Sequence, residues 1–117
     1  MPENKISNLD QLQSLTGGSS QLIKKFIDAF LQTAPQKLKE LEQNIKEKNT
    51  TGIKAVAHAS KAQFAYMGMQ EIKAKFERIE HLAVESKLGE IEKIYSEIVA
   101  QAHQGISELE NVLKNLS

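Results

Sequence analysis

The side chains best suited to chemistry in this sequence are three histidines, His58, His81 and His103. Imidazole exchanges protons and attacks electrophiles near neutral pH. His58 has the most telling surroundings. Ala55, Ala59, Ala62 and Ala65 flank it, and Lys54 and Lys61 stand at i−4 and i+3. On a helix those two positions share one side with the histidine. The apolar arc of the same stretch is formed by Ile53, Val56, Ala57, Ser60, Phe64 and Met67. At 100° per residue His58 lies about 140° from the centre of that arc, so it faces outward. An outward imidazole among alanines is open to a phosphoryl group brought up by another protein. Two nearby ammonium groups can bind its oxygens. The plain alternative is that alanine and lysine are simply good helix fillers.

Glu80 adds a second element. The turn after this helix centres near Met69; His58 lies 11 residues before it and Glu80 11 residues after it. Residues equidistant from the turn of an antiparallel hairpin sit level. Glu80 can therefore accept a hydrogen bond from Nδ1–H of His58. That fixes the tautomer and leaves Nε2 free as the nucleophile. Glu77 and Lys61 are level by the same count, so a lysine–carboxylate pair is the competing arrangement. His81 and His103 read as surface or helix-flank residues.

These side chains need helices to hold them. Good helix formers dominate the composition, and no segment alternates apolar and polar residues as a half-buried strand would. The spacing predicts a short helix over about Ser7–Leu15, closed by Gly17-Gly18. Ser19 or Ser20 caps a second helix running to about Gln32, with Leu22, Phe26, Ala29, Phe30 and Thr33 inward. Thr33 then caps a third, with Pro35 in its first turn and Leu38, Leu41 and Ile45 as its stripe. Asn49-Thr50-Thr51-Gly52 breaks the chain. A fourth helix runs over about Ile53–Met67 and turns at Gly68. The fifth buries Ile72, Phe76, Ile79, Leu82 and Ala83. Gly89 or its neighbours separate it from a last helix, with apolar residues from Ile91 to Leu116 at spacings of three and four. Tyr66, Tyr95, Met67 and Met69 read as core or near-core filling. The expected fold is all-α: an antiparallel four-helix bundle with one or two short additional N-terminal helices, one domain over residues 1–117.

Composition limits the function further. The chain has 117 residues, 15 basic and 15 acidic side chains, and no cysteine. Disulfides, thiolate metal sites and cysteine nucleophiles are excluded. Neutral charge argues against nucleic acid or a polybasic membrane contact as the partner. No apolar run reaches the roughly 20 residues that span a bilayer. Met1-Pro-Glu-Asn-Lys5 lacks the apolar stretch of a secretory signal, so a cytoplasmic location is expected. Met1 and a last helix running to Leu116 favour a free-standing chain, and a bundle of this size favours a monomer. Between Ile53 and Lys75, Lys54, Lys61, Lys73 and Lys75 face the single Glu71, a local basic excess that suits an acidic partner.

The stretch His58-Ala-Ser-Lys61-Ala62-Gln-Phe-Ala-Tyr-Met67-Gly68 resembles the signature of histidine-containing phosphotransfer (HPt) domains: a histidine, a lysine three on, a small residue after it, and a closing apolar-Gly pair. Phe76-Glu-Arg-Ile79-Glu80 resembles the family's second segment, and Leu12-Gln-Ser-Leu15-Thr-Gly17-Gly18 through Phe30 its first two helices. The resemblance covers about residues 6–90. Two positions depart from the pattern. Ala62 stands where glycine is usual and adds one methyl near the histidine. Ser60 replaces a large apolar residue near the centre of the buried arc, where it either leaves the core loosely filled or hydrogen-bonds back to a carbonyl.

The resemblance implies a carrier in a two-component phosphorelay. His58 would exchange a phosphoryl group with aspartates of response-regulator receiver domains, and a hybrid histidine kinase would be a further partner. Lys61 would balance the phosphoryl charge and Glu80 would orient the ring. No cofactor is implied for this chain; Mg²⁺ is expected on the receiver. The sequence also lacks Gly-rich nucleotide loops and kinase signatures, consistent with a carrier without its own ATP site. For partner docking, Ile23, Ile27 and Leu31 widen the apolar arc of the second helix beyond what bundle packing needs. They lie under the first helix or meet the partner, with Leu12, Lys54, Ala62 and Ala65 alongside. The main alternative is a non-catalytic adaptor bundle that binds a receiver or other partner without transfer. A carboxylate-bridged metal bundle is disfavoured, since Glu77-x-x-x-His81 has the wrong spacing.

Overall fold

A computed structural model describes residues 5–116; Met1–Asn4, part of the stretch read above as lacking a signal, and Ser117 lie outside the described residues. The chain forms α1 (Asp10–Thr16), α2 (Ser20–Lys46), α3 (Thr50–Tyr66), α4 (Gln70–Val84) and α5 (Leu88–Leu116). Each long helix packs on its chain neighbours, and α5 closes back on α2. The result is an antiparallel four-helix bundle with one short N-terminal helix. No strand occurs among the described residues.

Capping explains most of the boundaries. Gly17 ends α1 at φ +65°, in the left-handed region glycine tolerates. Ser19 starts α2, its hydroxyl accepting from the backbone N–H of Leu22 at 3.3 Å.

Two expected breaks are absent or displaced. The second and third expected helices are one helix, α2, with Pro35 inside it. Thr33 is no N-cap: its hydroxyl donates back to the carbonyl of Ala29 at 2.9 Å. Proline removes one helical hydrogen bond. The continuous buried row Phe30, Ala34, Leu38 and Leu41 keeps the helix on the core through that point. The chain reverses next at Lys48, a non-glycine residue at φ +57°. Asn49 then caps α3 through the N–H of Gly52. Gly52 is thus inside the first turn of α3 rather than in a break. Likewise Gly89 lies within α5, and the preceding reversal is made by Ser86 at φ +56°.

The aromatic core sets the rotation of α3. Phe64 meets Phe30 of α2 edge-to-face at 5.0 Å and Phe76 of α4 at 5.1 Å. Ile53, Ala57 and Ser60 are buried on the same side. Ser60 donates to the carbonyl of Val56 at 2.7 Å, so the polar atom is satisfied within the helix. Anchoring this arc inward turns the opposite face of α3 to solvent.

The α3–α4 turn is held from outside. Asn8 N–H donates to the carbonyl of Met67 at 2.9 Å. Gly68 sits at φ +73°, and a Cβ there would run into the backbone of Asn8. The carboxylate of Glu108 on α5 accepts from the N–H groups of Ile6 and Ser7 and from the Ser7 hydroxyl. The segment before α1 therefore straps the turn to α5. Tyr95 hydroxyl donates to the carbonyl of Leu38, tying α5 to α2.

Candidate functional site

His58 projects from the solvent face of α3, with its side chain 70% exposed. Ala55, Ala59 and Ala62 around it are exposed and Ala65 is half-buried. The hairpin register brings Glu80 level with it. Glu80 Oε2 lies 3.0 Å from His58 Nδ1. Its other oxygen, Oε1, lies 2.7 Å from the ammonium of Lys61. One largely buried carboxylate thus holds both groups. Hairpin register alone set Glu77, not Glu80, level with Lys61. The side chains decide otherwise: Glu77 turns to Lys73, at 3.9 Å.

The electrostatics of Glu80 fix the proton on the ring. Burial pushes its carboxyl up. The hydrogen bonds and positive charge of Lys61 and the contact with His58 outweigh that, so it is held below its ordinary 4.5. An ionised carboxylate only accepts hydrogen bonds. Nδ1 of His58 must therefore carry the hydrogen, and in the neutral ring Nε2 keeps its lone pair. Nε2 is the nitrogen not engaged with Glu80, on a ring open to solvent.

The two sides of His58 differ. On the α4 side, Lys54, Lys61, Glu77, Glu80, His81 and Val84 line a cleft of about 470 Å³. On the α2 side, Phe26, Ala29, Phe30, Gln63, Tyr66 and Met67 line a mostly apolar cavity of about 200 Å³. Gln63 bridges to α2 there, its amide donating to Thr33 Oγ1 at 2.9 Å. His81 and His103 are exposed, as expected.

The docking residues expected on α2 need correction. Ile23 and Ile27 are buried, as is Leu12, which α1 presses into the core. They cannot meet a partner. Leu31 is half-buried against the core. The exposed large apolar residues of α2 are instead Leu22 at 44% and Phe26 at 43%, which sequence reasoning had placed inward together with Ala29, also exposed. The cause is a rotation of the helix. α2 carries more apolar residues than its buried stripe can hold. Packing of α1 and α3 selects Ile23, Ile27 and Phe30, leaving Leu22 and Phe26 outside. Tyr66 is also outside, at 43% exposure, rather than in the core. Phe26 and Tyr66 were missed as surface residues because periodicity gives the width of an apolar arc but not its centre. Lys54 and Ala62 are exposed, and Lys54 shares the α4-side cleft.

No described helix is long and apolar enough to cross a membrane. Searches among curated proteins and among solved structures return no match. Residues 25–116, from early α2 to the end of α5, match the family model of the Hpt domain. With the helical bundle and the solvent-facing histidine of α3, that match places this chain in the histidine-containing phosphotransfer family, whose members act in phosphorelays with receiver domains and kinases.

Proposed function

We propose that this chain carries a phosphoryl group on Nε2 of His58 and exchanges it with the phospho-aspartate of a receiver domain. The observation that carries this reading is the His58–Glu80 contact at 3.0 Å on a ring that is otherwise open. In the forward step the Nε2 lone pair attacks phosphorus. The P–O bond to the receiver aspartate breaks and its carboxylate leaves. Nδ1 keeps its hydrogen, so the phosphorylated ring is an imidazolium, and Glu80 stabilises that charge. The return step runs the same atoms backwards. Lys61 holds Glu80 in place and adds positive charge on the same side. Mg²⁺ for the reaction would be supplied at the receiver's aspartate.

Small side chains around His58 admit the receiver's active site. The apolar edge formed by Leu22, Phe26 and Tyr66 gives it a surface to bury, and the basic α3 face suits its acidic pocket. This edge replaces Ile23, Ile27 and Leu12 as the docking surface. The test is phosphate uptake from receiver domains preloaded by a small phosphodonor with Mg²⁺, read by intact mass at neutral pH. Wild type should gain an acid-labile phosphate and His58→Gln none, with unchanged helicity because the side chain faces solvent. Receiver binding without uptake would instead identify an adaptor.

A further inference from the structure

We propose that Lys54, and not Lys61 alone, is the cation that covers the phosphoryl group on His58. The inference rests on the carrier reading above and assigns charge within the same site. Lys61 is placed by the family pattern to balance the phosphoryl charge. In this structure its ammonium lies 2.7 Å from Glu80, and its side chain is only 24% exposed. Its charge is matched before any phosphate arrives.

Charge conservation then poses a problem. Glu80 and Lys61 cancel, and the form of His58 that attacks is the neutral ring. Transfer places a phosphoryl group with close to two negative charges on Nε2 and leaves one positive charge on the ring. About one negative charge remains uncovered. Moving Lys61 to the phosphoryl group would strip Glu80 of its partner in a largely buried position, which is costly. A second cation resolves this without breaking the pair.

Lys54 is suited to that role. It is exposed and makes no ion pair or hydrogen bond among the described residues. It lines the same cleft as Lys61 and Glu80. It stands one turn before His58, on the side toward which helical side chains lean. The other cleft residues do not serve. Glu77 is negative and pairs with Lys73, and Val84 is apolar.

The test uses the full chain and phosphoramidate, with no receiver present. Nε2 of His58 attacks phosphorus, the P–N bond breaks, and ammonia leaves with the bonding pair. Wild type, His58→Gln, Lys54→Gln, Lys54→Arg and Lys61→Gln are compared by loading rate and by ³¹P NMR titration of the product. Loss of loading in His58→Gln alone supports the carrier reading. Equal loading of His58→Gln, or none in wild type, removes that reading and this inference with it. Given loading on His58, Lys54→Gln should load about threefold more slowly, the scale of an exposed ion pair. It should also raise the pKa of the phosphoryl group, because a stabilising positive charge is gone. Lys54→Arg should restore both. A phosphoryl titration in Lys54→Gln identical to wild type overturns the inference, and a larger displacement in Lys61→Gln hands the role to Lys61.

Discussion

The two flanks of His58 share one helix face yet are built differently. Measured around α3, Lys54 and Lys61 lie about 40–60° to one side of the histidine, and Ala62, Ala55, Tyr66 and Ala59 about 40–100° to the other. The first flank meets α4 through charge, in the Lys61–Glu80–His58 chain. The second meets α2 through Gln63 and the cavity under Phe26 and Tyr66. On the proposed reading chemistry and docking are thereby separated: the α4 flank would set the proton and the charge at His58, while the α2 flank would offer apolar area to a receiver. A change on one side should leave the other's function standing.

The sharpest way to break this comparison is to exchange a buried for an exposed apolar residue of α2. Ile27→Asp places a charge at a fully buried position and should cost about 4 kcal/mol, enough to unfold a domain of ordinary stability. Urea denaturation would show it, and a native-like transition would mean Ile27 is reachable by solvent.

Glu80→Gln comes next. It should slow phosphate uptake about tenfold to hundredfold, as removing a group that orients a reactive imidazole does. Receiver affinity should hold, since the docking edge is on the other flank. Stopped-flow transfer rates beside equilibrium binding separate the two, and an equal loss in both would join the flanks into one surface.

Phe26→Ala should show the converse. Receiver affinity should fall about tenfold while the loading rate from phosphoramidate and the stability stay close to wild type. Isothermal titration against a receiver that the chain is shown to use would measure it, and a large loss of stability would put Phe26 back in the core.

The smallest effect is in pH. Glu80 and Glu108 are both held below the ordinary carboxyl value of 4.5 in the folded chain. A lowered carboxyl contributes stability that is fully present above its unfolded value and is lost as pH falls through the folded one. The stability gap between wild type and Glu80→Gln should therefore close as pH falls below 4.5. A gap that widened on acidification would reverse the assigned direction.

Much of this was legible in the residues. The period of three and four in the last three helices reports buried faces directly, and the inward residues named for α3 and α4 are the ones that pack, Val56 only partly. The level placement of His58 and Glu80 follows from counting around Met69, because a tight antiparallel hairpin leaves little freedom in register. The helix boundaries were less legible. Pro35 does not end α2, and Lys48 and Ser86 take left-handed conformations without a glycine. Both outcomes depend on contacts from other helices, which outweigh local preference.

By itself, then, the sequence determined the all-helical bundle, the outward histidine of α3 and the carboxylate level with it, since each follows from local periodicity and a short turn. Only the tertiary structure decided which apolar residues of α2 are buried and which lysine Glu80 holds. Its apolar arc is wider than its contact, so packing of α1 and α3 had to choose the centre. Counting around Met69 sets Lys61 level with Glu77, yet Lys61 pairs with Glu80 and Glu77 turns to Lys73, because that choice depends on side-chain positions that only the packed helices set.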